Sequence, residues 1–306
     1  MRIVLMKRLA AAATGAALLS TVVLSGCAAF TDDSATSADG VEVAAAFYPL
    51  QYVADRVAGD HAKVENLTAP GGEPHDLELS PKETADIARA DLVLFQRGFQ
   101  PTVDDAVEQS ATGAELDVAD IVDLVPFREH GVDSDELDPH FWQDPLLLAD
   151  VGDAVAKQLA KIDPDNADDY ESNAADLRAD LEQLDQEYTD GLTGCERSTV
   201  VVSHDAFGYL QRHGVEMAAI LGLSPDSEPT PADLARLQEL IRDDGVTTVF
   251  SESLASPETA EQLADDTGVK SAVLDPIEGL TDETADEDYL SLMRTNLSAL
   301  EEANGC

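Results

Sequence analysis

The sequence predicts an α/β protein of two lobes with mostly parallel sheets, joined by a single long helix, with a ligand site in the cleft between the lobes. Three observations predict it. Short apolar runs alternate with helical stretches of about ten residues from Val41 to Asp117, the pattern of a mostly parallel sheet. The same alternation restarts at Ser198. Between the two lies an acidic segment whose apolar residues, Tyr170, Ala174, Leu177, Leu181, Leu184 and Tyr188, fall four and three apart on one helical face.

Taken in order, Val41–Phe47 is a short apolar strand, followed by a helix from Leu50 to Ala58 and a second strand over Ala62–Leu67. Gly71–Pro81, GGEPHDLELSP, is a stiff loop: two glycines permit a sharp turn and Pro74 restricts the approach to His75. Ser80-Pro81-Lys82-Glu83 then starts a helix, with a capping serine, proline at the first helical position and glutamate three after the cap. Asp91–Phe95 reads as a buried strand, Phe99–Gln109 as a weaker helix and Ala114–Asp117 as a weak strand. Pro126–Asp144 is polar, acidic and without a convincing period, so it reads as a loop. Asp144-Pro145 starts a helix to about Ile162, and Asp163-Pro164 starts the long one, which ends near Gly191 and Gly194. From Pro164 to Asp190 it spans about 40 Å at 1.5 Å per residue. The second lobe reads as a strand at Ser198–Ser203, a helix at His204–His213 and a strand at Val215–Leu221. Helices from Pro231 and Pro257, strands at Val246–Phe250 and Val269–Leu274, and a last helix over Glu287–Glu302 complete it.

The N-terminus reads as an export signal. Arg2, Lys7 and Arg8 precede an uncharged run from Leu9 to Thr31 whose apolar part ends in small residues at Leu24-Ser25-Gly26-Cys27. An uncleaved membrane anchor is the alternative, since the run is nearly long enough to span. Leu-Ser-Gly-Cys resembles the lipobox of bacterial lipoproteins, which implies cleavage before Cys27 and acylation of its sulfur. On that reading residues 1–26 are the signal and 27–40 a lipidated polar tether, placing the protein outside the cytoplasm on the cell membrane.

The whole chain carries a formal charge of −44, and without the signal 15 basic residues face 62 acidic ones. Such a surface repels nucleic acid and anionic lipid, so polyanionic partners are excluded. With Cys27 assigned to lipid, Cys195 and Cys306 remain. In an oxidising exterior two distant cysteines point to a disulfide, and a thiolate metal pair would want the short Cys-x-x-Cys spacing.

Four metal-capable groups stand where strands end. His75 follows the second strand of the first lobe, and His140 lies in DPHFWQDP at the end of the acidic loop. His204, in SHDAFGYL, and Asp275, in LDPI, directly follow strands of the second lobe. Ligands of open α/β sheets bind beyond the carboxyl ends of strands, and three imidazoles with one carboxylate suit a four-coordinate transition metal. Spacings of 65, 64 and 71 residues carry no local metal signature, however, and each histidine alone reads equally as a capping or hydrogen-bonding residue. His61 falls in an exposed turn, His213 at a helix end and His130 in the acidic loop.

GGEPHDLELSP, DPHFWQDP, SHDAFGYL and LDPIEGLT, in that order around a long acidic helix, resemble the zinc-uptake solute-binding proteins of ABC transporters, the group called cluster A-I. The resemblance runs from Val41 to Cys306. It implies two lobes (41–163 and 192–306) joined by one rigid helix (164–191), and a metal shell of His75, His140, His204 and Asp275. It further implies Zn2+ as the bound ligand with Mn2+ as the alternative, an ABC permease as partner, a monomer, and no enzymatic activity. A disulfide tying the C-terminus to the start of the second lobe also resembles actinobacterial members. Two departures stand out: the loop before His140 is short and acidic where zinc-specific members carry a long histidine-rich one, and some relatives place a glutamate beside the first histidine in the metal shell, which makes Glu73 an alternative to Asp275. Glu252, at the end of a strand, is a further candidate. A zinc hydrolase is the competing class and would need an open coordination position and a base, for which Glu73 or Glu252 is available. An adhesin needing no metal is a third.

Overall fold

The computed structural model describes residues 40–129, 132–225 and 227–306. The signal (1–26), Cys27, most of the 27–40 tether and His130 lie outside the described residues.

In the first half, β1 (Val41–Ala45), β2 (Ala62–Asn66), β3 (Leu92–Phe95) and β4 (Ala114–Asp117) form a parallel sheet in the order β2-β1-β3-β4. Its crossovers run through α1 (Tyr48–Ala58), α2 (Pro81–Arg89) and α3 (Pro101–Ser110). All four residues of β3 are buried, as the apolar run LVLF requires of a strand covered on both faces. The capping box of α2 forms as its sequence prescribes: Glu83 accepts from Ser80 N at 2.8 Å and Ser80 Oγ accepts from Lys82 N at 3.2 Å.

The acidic stretch that reads as a loop instead holds an antiparallel hairpin, β5 (Pro126–Glu129) and β6 (Val132–Leu137), with an irregular register between Pro126 and Arg128. Its sequence, PFRE and VDSDEL, has too few β-branched and aromatic residues to announce strands.

Helices α4 (Pro145–Ile162) and α5 (Ala167–Gly191) follow, with Pro164–Asn166 as a 3-10 turn between them. The buried residues of α5 are the six of the predicted stripe. Gly152 of α4 lets the two helices close, because a Cβ there would stand 3.1 Å from Leu177 Cδ2. Tyr188 OH donates to Met293 O at 2.7 Å, fastening α5 to the last helix.

The second sheet is parallel too, in the order β10-β9-β7-β8, from β7 (Thr199–Val202), β8 (Glu216–Ala219), β9 (Thr248–Ser251) and β10 (Lys270–Val273). Helices α6 (Pro231–Asp244), α7 (Glu258–Thr267) and α8 (Tyr289–Asn304) complete it. The helix expected over His204–His213 is a 3-10 segment confined to Gly208–His213. Gly208 explains the difference. Glycine disfavours a helix, and any Cβ there would stand 2.5 Å from Asp138 Oδ2, so the position serves a close approach instead. Cys195 is joined to Cys306 by a disulfide.

The main core runs without a break from the first sheet through α4 and α5 to the inner faces of β7 and α8. A smaller apolar cluster, centred on Val201, Leu237, Val249 and Leu263, lies beneath α6 and α7.

Candidate metal centre

Between the two sheets, His75, His140, His204 and Glu278 bring one donor atom each within 4.8 Å of every other. The carboxylate of this group is not the one the sequence points to. Asp275 lies outside it, and its Oδ1 accepts from Ile277 N at 2.7 Å, a turn that delivers Glu278. An aspartate followed by proline is a natural turn-former, so its short side chain is taken up by its own backbone. The signal available in the sequence was the lone charge in the otherwise apolar stretch PIEGL, which burial makes costly unless it is partnered.

Each donor is set by its own element. The loop after β2 carries His75, whose ring stands edge-on to Phe99 with centroids 4.7 Å apart. Glu73 accepts from His75 N at 3.1 Å and from Asp76 N at 3.3 Å, so its carboxylate shapes the turn and is not part of the group. His140 directly precedes the 3-10 turn Phe141–Gln143 and is fully buried. Asp138 Oδ1 stands 2.8 Å from His140 Nδ1 and also accepts from His140 N at 2.9 Å. Tyr209 OH donates to Asp138 O at 2.9 Å and accepts from Val125 N at 3.2 Å, pinning both stems of the hairpin from the second half. His204 follows β7, and Glu252 Oε2, just past β9, lies 2.6 Å from its Nδ1. Glu252 thus stands at ion-pair distance from the outer nitrogen of His204, while Asp138 hydrogen-bonds that of His140, and the Nε2 of each ring is left to face inward. His61 pairs with Asp169 at 2.9 Å and His213 packs on Tyr188, both away from the group.

Four of the six edges among the inward donors are short and nearly equal. Glu278 Oε1 lies 3.4 Å from His75 Nε2, 3.3 Å from His140 Nε2 and 3.3 Å from His204 Nε2. His75 Nε2 and His140 Nε2 are 3.3 Å apart. A tetrahedron with its centre about 2.0–2.1 Å from each corner, the bond length of zinc to imidazole nitrogen or carboxylate oxygen, has edges of roughly 3.3–3.4 Å. The donor set and these four edges fit that ion.

The carboxylates and burial around the centre act on each imidazole differently. Burial lowers the pKa of His75. Burial opposes protonation of His140 and His204 as well, but Asp138 and Glu278 outweigh it at His140, and Glu252 and Glu278 push His204 up to about 10. Burial disfavours an ionised Glu278, yet hydrogen bonding to the three imidazoles holds it well below the usual carboxylate range. A proton on His204 thus sits where a cation at the centre would be favoured.

The family described as zinc-uptake complex component A, periplasmic, matches residues 43–303. This chain belongs to it. Among curated relatives, the high-affinity zinc uptake system protein ZnuA of Bacillus subtilis is 32% identical over 280 residues, covering 87% of this chain and 88% of that protein. The zinc-binding lipoprotein AdcA of Streptococcus pneumoniae is 33% identical over 302 residues, covering 93% of this chain and 60% of that protein. Of solved structures, the Zn(II)-bound ZnuA-like domain of Streptococcus pneumoniae AdcA superposes with a TM-score of 0.75 at 32% identity, covering 87% of this chain and all of that one. The family identity makes the protein a binding component of an uptake system and not an enzyme, so the hydrolase alternative falls.

Proposed function

We propose that the protein captures Zn2+ outside the cytoplasm, with His75, His140, His204 and Glu278 as its four ligands, and passes it to the membrane permease of an ABC uptake system. One observation carries this: a single carboxylate oxygen stands 3.3–3.4 Å from three imidazole nitrogens whose other faces point away. Three nitrogens and one oxygen favour Zn2+ over Mn2+, which prefers oxygen-richer shells. Asp275 and Glu73 hold the turns that carry ligands, and Asp138 and Glu252 orient His140 and His204. The monomer divides at about 163 and 191, with the long helix between the lobes. It is tethered through an acylated Cys27.

Elemental analysis of protein purified without added metal, then titration with Zn2+ and Mn2+ in competition, tests the reading. One Zn2+ per chain is expected, lost in Glu278→Gln and retained in Asp275→Asn. A zinc site that survives His140→Ala, or that Asp275→Asn removes while Glu278→Gln does not, overturns it.

A further inference from the structure

The turn that delivers Glu278 is unusual in one respect. Ile277 has φ +60°, the only non-glycine residue with positive φ among the described residues, and its side chain is fully buried. A β-branched residue is strongly disfavoured there and persists only where its surroundings over-determine it. The peptide plane joining Pro276 to Ile277 is held at both ends. Its N–H donates to Asp275 Oδ1 at 2.7 Å, and Asp275 itself is fixed by Asn296, which accepts from Asp275 N and donates to Asp275 O. Its carbonyl, Pro276 O, accepts from Trp142 Nε1 at 2.8 Å and from Gln143 Nε2 at 2.6 Å.

Those last two donors belong to the other half of the molecule, two and three residues after His140. A peptide unit is rigid, so holding its oxygen fixes the plane, and the plane sets φ of Ile277 and the direction of Glu278. Gln143 is fully buried and its Oε1 has no hydrogen-bond partner, a cost tolerated beside the bond its Nε2 makes to Pro276.

We propose that Trp142 and Gln143 are positioning residues for Glu278, and that cargo is released when the halves part and their hold on the Pro276 carbonyl is lost. The Pro276–Ile277 plane then turns, Ile277 relaxes to negative φ, and the carboxylate swings away from the imidazoles. Contact between the halves is in this way wired directly to one ligand. The inference rests on the ligand set proposed above.

Stopped-flow displacement of Zn2+ into excess chelator tests it, using the full chain, Gln143→Leu and Trp142→Phe, with Co2+-loaded samples to report coordination by their visible spectrum. Release about 10-fold faster is expected in each variant, the fold-change of one lost buried hydrogen bond. The four-coordinate Co2+ band should persist, and metal-free Gln143→Leu should melt no lower than the native protein because an unpaired buried oxygen has gone. Trp142 sits in an aromatic cluster with Phe47 and Phe99, so Gln143→Leu is the deciding variant. An unchanged release rate in that variant overturns the proposal. Faster release with a collapsed Co2+ band also overturns it, since a ligand rather than a tether has then been lost. Glu278→Gln separates the two readings: if it binds Zn2+ like the native protein the ligand set fails, and if it does not while Gln143→Leu releases normally, only the positioning role fails.

Discussion

The turn that presents His75 and the turn that presents Glu278 solve one problem with different materials. In each, a carboxylate accepts from the backbone N–H two residues on: Glu73 from His75, Asp275 from Ile277. Both contain a residue of positive φ, and the two turns touch, with Gly71 N donating to Leu280 O at 2.7 Å. The first turn uses Gly71, for which φ +76° is unstrained and around which a Cβ would meet nothing within 4 Å. The second uses Ile277 and needs Asp275, Asn296, Trp142 and Gln143 to keep it. A turn made from glycine takes its positive φ without strain, whereas one made from a strained residue needs distant partners to hold that φ.

The sharpest way to break the comparison is to neutralise the presented carboxylate of the second turn and the turn-holding carboxylate of the first. Glu278→Gln leaves buried imidazoles without their anion and should weaken Zn2+ binding by about 100- to 1,000-fold, measured by competition with a chelating dye. Glu73→Gln keeps an acceptor for the turn and should change affinity by less than about threefold.

Next in size is the pH response. Glu252 and Glu278 push the pKa of His204 up to about 10 while burial lowers that of His75, so loading near neutral pH should expel at least the His204 proton. Affinity therefore falls as pH is lowered, and calorimetry in buffers of different ionisation enthalpy counts the protons. Stability of the metal-free protein runs the other way. The folded pKa of His204, about 10, exceeds its ordinary 6.5, so its contribution is complete below 6.5 and is lost as pH rises toward 10. Denaturant titrations of the apo-protein across that window should show the decline.

The smallest effects test the backbone itself. Gly71→Ala should cost about 1–2 kcal/mol in urea unfolding, from the left-handed conformation alone. At position 277 both truncations lose a buried side chain, but Ile277→Gly should be more stable than Ile277→Ala by about 1 kcal/mol, the reverse of the usual order. If alanine is the better residue there, Ile277 is not strained and the contrast between the turns disappears.

These turns also mark where sequence reasoning succeeds and stops. The stripe of α5, the parallel βα units and the loop around His75 are local patterns, written in periodicity, caps and glycines within a dozen residues. His140, at the end of the acidic loop, and His204, after a strand, each read alone as ordinary polar residues, and only the order of the four motifs ties them together. Glu278 was hidden because the choice between it and Asp275 depends on which way one peptide plane faces, and that is decided by Trp142 and Gln143, more than 130 residues earlier in the chain. The hairpin over 126–137 was missed because its side chains carry little β preference. The 3-10 turn at Gly208 answers to Asp138 across the molecule rather than to its own neighbours.

The disulfide between Cys195 and Cys306 has a consequence for survival of the second half of the chain. Its two ends enclose every strand and helix from β7 to α8, and with them His204 and Glu278. A single peptide-bond cut anywhere in that span leaves the two pieces covalently tied while the bond stays oxidised. A nick in an exposed loop there therefore does not by itself free a fragment.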